Sequence, residues 1–298
     1  MAIGLVLAAI AAVGCRNGST PARVVTLTLP GRPSAVTVAA GLVWVADDSR
    51  GVVVTVDARR VKEVGTPIRV GSSPVAIAAG AGAVWVADAG GRVTALDPRS
   101  RRAIGQPVEL RGALSDVATG AGAVWVTDVQ NGILWRVDPA DHTTLPVPVP
   151  LGAVRAVVAG GTVWVTNSEN TVTPVDVATL SPGAAVSVGS GPIGLAFSLG
   201  QIWVANSDDD TVSAVETPVP SRFGPVHVGK GPVAVAATTD GVWVVSQDDR
   251  VLTRIDPTSA RRFGPLTSLG TRPRGVAIGS GRVWVVGVDP SALVGVLA

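Results

Sequence analysis

The residue types that carry out most protein chemistry are scarce in this sequence. Its 298 residues include one Cys, Cys15, two His, His142 and His227, and no Tyr. A single Cys excludes an internal disulfide framework and a Cys-based zinc site, and two His exclude a multi-histidine metal cluster. We therefore expect no metal and no cofactor. Any catalysis or binding then depends on carboxylates and Arg, and so on the elements that position them.

Composition and charge set broad limits on the class of protein. Apolar residues make up 47% and charged residues 15%, which excludes a disordered chain. The net charge is +2, too small to indicate nucleic-acid binding by itself. We expect no nucleic-acid partner, because the Trp residues that would have to stack on bases belong to a regular apolar pattern.

That pattern is a repeat of about forty residues. Trp recurs inside Val-Trp-Val or Ile-Trp-Val at intervals of 41, 40, 39, 39, 40 and 41 residues. The seven positions are Trp44, Trp85, Trp125, Trp164, Trp203, Trp243 and Trp284. An acidic residue follows most of them after 12 or 13 residues, and a Gly-x-x-Pro-like turn precedes the next unit. Each unit contains four short Val-rich runs bounded by turn residues, which predict four strands, a to d, with Trp on strand b.

Four strands in each of seven repeats predict an all-β, seven-bladed β-propeller of four-stranded blades. The last repeat ends after its strand c, Ala292–Leu297, and lacks a strand d. A strand-d pattern occurs instead at residues 23–30. We therefore expect the N-terminal strand to pair into the last blade and close the ring, so that residues 23–298 form one propeller domain. The seven Trp should pack between neighbouring blades.

The units resemble the YVTN-type repeats of YncE-like propellers. The resemblance rests on the hydrophobic-Trp-Val strand followed by Asp or Asn, then a turn, then Val-x-x-Val/Ile-Asp, then Val-Gly-x-x-Pro. It covers residues 23–298 and implies a fold rather than an activity. The units resemble the virginiamycin B lyase and lactonase-type propellers more distantly. That resemblance implies His/Glu or acid/Asn sets near the top centre, whereas His142 falls in a c–d loop and His227 on an outer strand.

The first 22 residues have the pattern of a targeting segment. Residues 2–14 are an uncharged apolar run, too short to span a bilayer, that ends in Ala12-Val13-Gly14-Cys15. Small residues before the single Cys resemble a bacterial lipobox, so we expect a signal peptide over 1–15, lipidation of Cys15 and a linker over 16–22. The run has no preceding Lys or Arg and has Ala12 where Leu is preferred. Ordinary secretion and an uncleaved anchor therefore remain alternatives.

The candidate site is the mouth of the channel on the top face, where the d–a and b–c connections lie. No His, Cys or Glu occurs in the strands predicted to line the channel, and Asp116 stands at one entrance. The d–a turns carry most of the basic candidates. The predicted ligand- or partner-binding set is Arg32, Arg111, Asp116, Arg155, Lys230, Arg272 and Arg274. A basic inner ring inside the acidic b–c turns would attract an anionic ligand or an acidic loop; simple solubilising charge is the alternative.

These features predict a non-catalytic extracytoplasmic binding or scaffold propeller. We expect a monomer, lipid-anchored on the outer side of the cytoplasmic membrane, whose partner is an envelope protein or an anionic ligand. A lyase or lactonase-type enzyme acting at the top mouth is the alternative. The c–d loops of the opposite, bottom face are rich in basic residues: Arg59, Arg60, Lys62, Arg99, Arg101, Arg102, Arg222, Arg261 and Arg262. With the lipid anchor, this rim would contact an anionic membrane surface.

Overall fold

The computed structural model describes residues 23–217 and 222–297, all of them in strands, turns or loops. The predicted signal peptide (1–15), its lipidation site Cys15 and the linker (16–22) lie outside the described residues. No described segment forms a helix that is long and apolar enough to cross a membrane.

The strands form seven antiparallel sheets arranged as a β-propeller, which confirms the predicted fold. Strands a, nearest the central channel, are Pro33–Ala39, Pro74–Gly80, Leu114–Gly120, Ala156–Ala159, Pro192–Ser198, Pro232–Thr238 and Arg272–Gly279. Strands b, which carry the repeated Trp, are Leu42–Asp47, Ala83–Asp88, Ala123–Asp128, Thr162–Thr166, Gln201–Asn206, Gly241–Ser246 and Arg282–Val288. We number the blades 1 to 7 in this order.

The outer half of each blade is less regular than the inner half. Strands c are Val52–Asp57, Arg92–Leu96, Ile133–Val137, Thr171–Asp176, Thr211–Glu216, Val251–Asp256 and Ala292–Leu297. Strands d of blades 1 to 6 are Lys62–Glu63 with Ile68–Arg69, Val108–Glu109, Thr144–Pro148, Val186–Ser187, Arg222–His227, and Arg261–Arg262 with Thr267–Ser268. Blades 1 and 6 each have two short outer segments because the chain leaves the sheet at a Gly-containing loop between them.

The seventh outer strand comes from the N-terminal end of the propeller. Val24–Thr28 pairs antiparallel with strand c of blade 7, Val24 opposite Val296 and Thr28 opposite Ala292. Leu27 and Leu29 are buried in the apolar cluster that joins blade 7 to blade 1. The predicted closure of the ring is therefore confirmed, and the closing strand begins on the bottom face and runs upward.

The repeated Trp residues fill the interfaces between blades, as predicted. Seven apolar clusters are present, and each contains one repeated Trp together with strand residues of the following blade. Trp125 of blade 3, for example, packs with Val163 and Val165 of blade 4. All seven are buried, with exposed fractions between 0% and 5%. The core is thus a ring of seven similar interfaces, and the Trp rings are unavailable for stacking on a ligand.

The Asx residues three positions after Trp hold the top loops together. The carboxylate of Asp88 accepts hydrogen bonds from the backbone N–H of Gly90 in its own b–c turn and of Ser72 and Ser73 in the d–a turn. Asn206 accepts likewise from the N–H of Gly189. Repetition of Asp or Asn at this position therefore reflects turn structure, as expected for Asx side chains.

Candidate functional site at the top mouth of the channel

One position of strand a forms a ring around the top of the channel. In six blades it lies opposite the residue two after Trp, as Ala35 does opposite Ala46. In blade 4 the same place is taken by Arg155, whose backbone exchanges hydrogen bonds with Thr166. The seven members in blade order are Ala35, Ala76, Asp116, Arg155, Gly194, Ala234 and Gly275. Five are Ala or Gly, so two adjacent charged residues break an otherwise small, apolar ring.

Asp116 and Arg155 form an ion pair across the interface of blades 3 and 4. Nη1 of Arg155 lies 3.2 Å from Oδ1 of Asp116, and their side chains are 28% and 15% exposed, respectively. The backbone N–H of Ala156 donates to Oδ2 of Asp116 at 2.9 Å. Arg155 also donates from Nη1 to the carbonyl of Ser115 and from Nε to that of Ile193. One guanidinium thus connects three consecutive blades.

Burial raises the pKa of Asp116 above its ordinary value, while the charge of Arg155 and the backbone N–H groups of Ala156 and Val117 act in the opposite direction. The direction means that desolvation of the carboxylate outweighs its ion pair and hydrogen bonds. Asp116 is therefore the described carboxyl at the mouth whose charge is held least favourably.

Three further arginines of the predicted set pair with acids of the b–c turns. Asp48 accepts from two of them: its Oδ1 lies 3.2 Å from Nε of Arg32, and its Oδ2 lies 3.1 Å from Nη1 of Arg274. Arg272 lies 3.7 Å from the carboxylate of Asp248. Basic residues of the predicted set and acids of the b–c turns are therefore joined as ion pairs on this face.

Arg111 and Lys230 stand apart from that network. Both side chains are exposed in d–a turns, and neither forms an ion pair with a described residue. Arg111 adopts a left-handed backbone conformation, with φ of 51°, in the turn that leads into blade 3. Lys230 uses its backbone N–H to bond Asp249 and leaves its ammonium at the surface.

The small ring residues leave a cavity of about 210 Å³ at the top of the channel. Its walls are the ring itself and neighbouring apolar positions of strand a, with Ser34 and Arg274 at the rim. Arg155 and Asp116 stand on one side. Arg274, three blades further round, stands on the other. The structure therefore brings Asp116, Arg155 and Arg274 of the predicted set to one cavity. It leaves Arg32, Arg111 and Lys230 in turns outside the cavity, and Arg272 outside it at the start of strand a of blade 7.

The two His lie away from this cavity. His142 is in the c–d loop of blade 3 on the bottom face, where its ring makes an edge contact with Trp85 at 5.8 Å between centroids. His227 is exposed on strand d of blade 5. Among the described residues, no three His, Cys, Asp or Glu side chains are grouped as metal ligands.

Sequence reasoning missed two parts of the site. The acids that neutralise the mouth arginines, Asp48 and Asp248, were grouped with the turn residues because adjacent Asp pairs fit a solvated turn. The cavity was missed because Ala and Gly have no functional group in their side chains and were not considered as site residues. An alignment of the seven repeats on Trp would have indicated the cavity. The position that pairs with the residue two after Trp is Ala or Gly in five repeats and charged in two.

Comparison with known proteins supports the fold. No protein-family model and no curated protein matches the sequence. Similar solved structures include a streptogramin B lyase, at 13% identity over 92% of this chain and 98% of that chain, with a TM-score of 0.79. The virginiamycin B lyase of Staphylococcus aureus has 13% identity over 93% of this chain and 99% of that chain, with a TM-score of 0.78. The Pan2 WD40 domain of Neurospora crassa has 14% identity over 91% and 94%, with a TM-score of 0.75.

These neighbours share a propeller and differ in what they do, and at such low identity the likeness shows the fold alone. The S. aureus lyase has also been solved with quinupristin as a catalytically inactive variant in which a His is replaced by Ala. In the present chain neither His lies at the top cavity. A lyase activity at this mouth would therefore have to use residues other than His.

Proposed function

We propose that this protein is an extracytoplasmic binding propeller of the YVTN/YncE type, tethered to the membrane through Cys15, that binds an envelope partner or an anionic ligand at its top mouth. The observation that carries the proposal is the division of charge at that mouth. In blades 1 to 3 the b–c turn carboxylates of Asp47, Asp88 and Asp128 are buried, at 2%, 4% and 0% exposure, and are used by the loops themselves, whereas basic side chains of the same face remain at the surface. The exposed b–c turn carboxylates of this face lie in blades 5 and 6, at Asp208, Asp209, Asp248 and Asp249.

Four of these cations are accessible to a partner. Arg111 and Lys230 are exposed without an ion pair to a described residue, and Arg32 and Arg272 keep 61% and 45% of their side chains exposed within theirs. Exposed charges of one sign on the rim of a concave surface speed the encounter with an acidic partner and select its orientation. The turn that carries Arg32 is anchored by the buried carboxylate of Asp47, which accepts from the backbone N–H of Arg32. The turn that carries Lys230 is held by the carboxylates of Asp249 and Asp210, which accept from the backbone N–H groups of Lys230 and Gly231.

The bottom face supports the proposed tether. The closing strand starts there, since Leu297 donates its backbone N–H to the carbonyl of Arg23 at the lower end of blade 7. Seven residues lie between Cys15 and Arg23, so the two are eight residue steps apart, at most about 29 Å of extended chain. A lipid on Cys15 would hold this face close to the bilayer. Seven basic side chains of the c–d rim are exposed on it: Arg59, Arg60, Lys62, Arg99, Arg102, Arg261 and Arg262.

The decisive experiment is capture of partners from intact cell envelope by the mature domain and by two charge variants. The mouth variant is Arg111→Gln/Lys230→Gln/Arg272→Gln. The control variant is Arg59→Gln/Arg60→Gln/Arg261→Gln, which removes the same number of charges from the bottom face. We expect a protein that is captured by the wild type and the control but lost with the mouth variant. Equal capture by all three would refute binding at the mouth.

The tether has its own test in the full-length chain. We expect mass spectrometry to find an N-terminal diacylglyceryl group on Cys15, and Cys15→Ser to move the protein from the membrane fraction to the soluble one. Recovery of an unmodified Cys15 in a soluble wild-type protein would refute the tether and leave the binding proposal standing.

A further inference from the structure

The cavity at the centre of the top mouth differs from the surrounding rim in shape and in chemistry. The rim is made of flexible basic side chains on loops, whereas the cavity is built on strands and enclosed by Ala and Gly. Its charged groups are few and fixed: Asp116 and Arg155 on one side, and Arg274 on the other. A site that is small, rigid and polar at two opposite points fits a small molecule better than a protein loop.

The charges near the cavity leave a small positive excess on the side of Arg274. Asp116 and Arg155 cancel, while the single carboxylate of Asp48 is shared by Arg274 and Arg32. Three cations and two anions therefore sum to one positive charge. The contact of Arg274 with Asp48 uses Nη1, and its side chain is 33% exposed. An anionic group with one negative charge can accept from the guanidinium without displacing Asp48.

The opposite wall requires a donor. The carboxylate of Asp116 accepts from Nη1 of Arg155 at Oδ1 and from the backbone N–H of Ala156 at Oδ2, and the backbone N–H of Val117 also stabilises its charge. A carboxylate has about four lone-pair sites, so it can accept a further hydrogen bond. Its pKa is raised by burial, so a ligand group that donates to it would relieve a poorly solvated charge, whereas a second bare carboxylate would repel it. The same wall therefore favours a hydroxyl or an ammonium.

We infer that the cavity bounded by Asp116, Arg155 and Arg274 binds a small carboxylate that also carries a hydroxyl or ammonium group. The carboxylate of the ligand lies on the Arg274 side and its donor faces Asp116. A volume of about 210 Å³ exceeds the roughly 150 Å³ that holds a benzene molecule, so the ligand has about six to ten non-hydrogen atoms. The inference rests on the proposed function in one respect, namely that both place binding at the top mouth.

The test is isothermal titration calorimetry of the mature domain with four probes. Lactate and alanine carry both groups, acetate lacks the donor, and propane-1,2-diol lacks the carboxylate. We expect lactate and alanine to bind, and acetate and the diol to bind at least about fivefold more weakly, because each has lost one of the two polar contacts. Absence of heat with lactate and alanine up to about 20 mM would overturn the inference, as would equal affinity for all four probes.

Variants assign the contacts. Arg274→Gln should weaken lactate binding about tenfold by removing a charge-assisted hydrogen bond. Asp116→Asn should weaken alanine, whose ammonium needs the negative charge, more than lactate, whose hydroxyl can still donate to the amide oxygen. Arg92→Gln is the matched control, because Arg92 is an exposed arginine paired with Glu109 on the outer strands of blade 2 and does not line the cavity. It should leave both affinities within about twofold.

Two results would contradict this assignment: equal weakening by Arg92→Gln and Arg274→Gln, or an unchanged ratio of alanine to lactate affinity in Asp116→Asn. Melting curves of each variant separate loss of binding from loss of folding. Capture of an envelope partner depends on Arg111, Lys230 and Arg272, so it can succeed while small carboxylates fail, and the two failures are distinguishable.

Discussion

Two of the inter-blade Trp residues should respond to the same substitution in different ways. Trp125 and Trp164 occupy the same position in blades 3 and 4 and are 0% and 2% exposed. The indole N–H of Trp125 donates to the carbonyl of Gly120 at 3.2 Å. The indole nitrogen of Trp164 is buried and has no partner among the described residues. Replacing each Trp by Phe therefore removes a satisfied donor in one case and an unsatisfied donor in the other.

The magnitude follows from two contributions. Exchange of an indole for a phenyl ring leaves a cavity on the order of 40 Å³, which at about 24 cal/mol per Å³ costs ~1 kcal/mol at either site. At Trp125 the lost hydrogen bond adds ~1 kcal/mol, for a total near 2 kcal/mol. At Trp164, removal of an unpaired buried N–H returns about 1–3 kcal/mol and cancels the cavity cost or exceeds it. The two variants should differ in free energy of unfolding by about 2 kcal/mol or more.

Guanidinium denaturation followed by circular dichroism measures this difference, provided that the slope of the transition is the same for both variants. Trp85→Phe and Trp203→Phe are a second matched pair, because Trp85 donates to Gly80 and Trp203 has no partner among the described residues. If Trp164→Phe loses as much stability as Trp125→Phe, the buried N–H of Trp164 has a partner and the argument is wrong.

The further predictions concern closure of the ring, titration of two carboxyl groups and contact with the membrane. Deletion of residues 16–30 exposes the edge of Ala292–Leu297 and removes buried Leu27 and Leu29, so we expect aggregation or a lower melting temperature; an unchanged cooperative melt would refute closure by this strand. Hydrogen bonds from the backbone N–H and side chain of Ser100 lower the pKa of Asp97 below 3.8. The contribution of Asp97 to the stability of the folded protein is therefore present above that pH and is lost as the pH falls. Asp97→Asn should make the loss of stability on acidification less steep. The raised pKa of Asp116 has the opposite sign, because stability falls as the pH rises from 3.8 through the folded value, and Asp116→Asn should gain on the wild type over that rise in the same denaturation assay. In flotation with anionic vesicles, the mature domain should bind at low salt and lose binding at high salt or when the exposed rim is neutralised, and equal binding under all conditions would refute the membrane contact. The rim variant carries Gln at Arg59, Arg60, Arg99, Arg102, Arg261 and Arg262, all of which are exposed.

The fold could be predicted from the sequence because the same pattern of strands and turns occurs in seven repeats. A Trp inside an apolar strand, an Asx three residues later and a Gly-x-x-Pro-like turn are each weak signals, but their fixed spacing permits little else than radial blades. The missing strand d of the last repeat and the spare strand at residues 23–30 then determined how the ring closes. Local chemistry and topology agreed at every step.

The site was only partly predictable, since its geometry depends on places where the repeats differ. Asp116 and Arg155 were both noted from the sequence, but as separate features of a strand and a turn. Their pairing depends on the irregular start of blade 4, where strand a is only Ala156–Ala159 and Arg155 takes the place that Ala or Gly holds elsewhere. The distribution of Asp48 between two arginines requires side-chain positions across blades 1 and 7, which no spacing rule supplies.

The closing strand also constrains the order in which the molecule can be completed. Val24–Thr28 is synthesised first, yet its partner Ala292–Leu297 is synthesised last, so the one sheet that joins the two ends of the propeller has to wait for nearly the whole chain. Blades 1 to 6 are each built from consecutive segments and can form as the chain emerges, whereas blade 7 forms only when both ends are present. The ring therefore closes only when the propeller is complete. A chain stalled before residue 292 would leave the edge of Arg282–Val288 unpaired. Such a chain would also be less stable and hence a target of quality-control proteases.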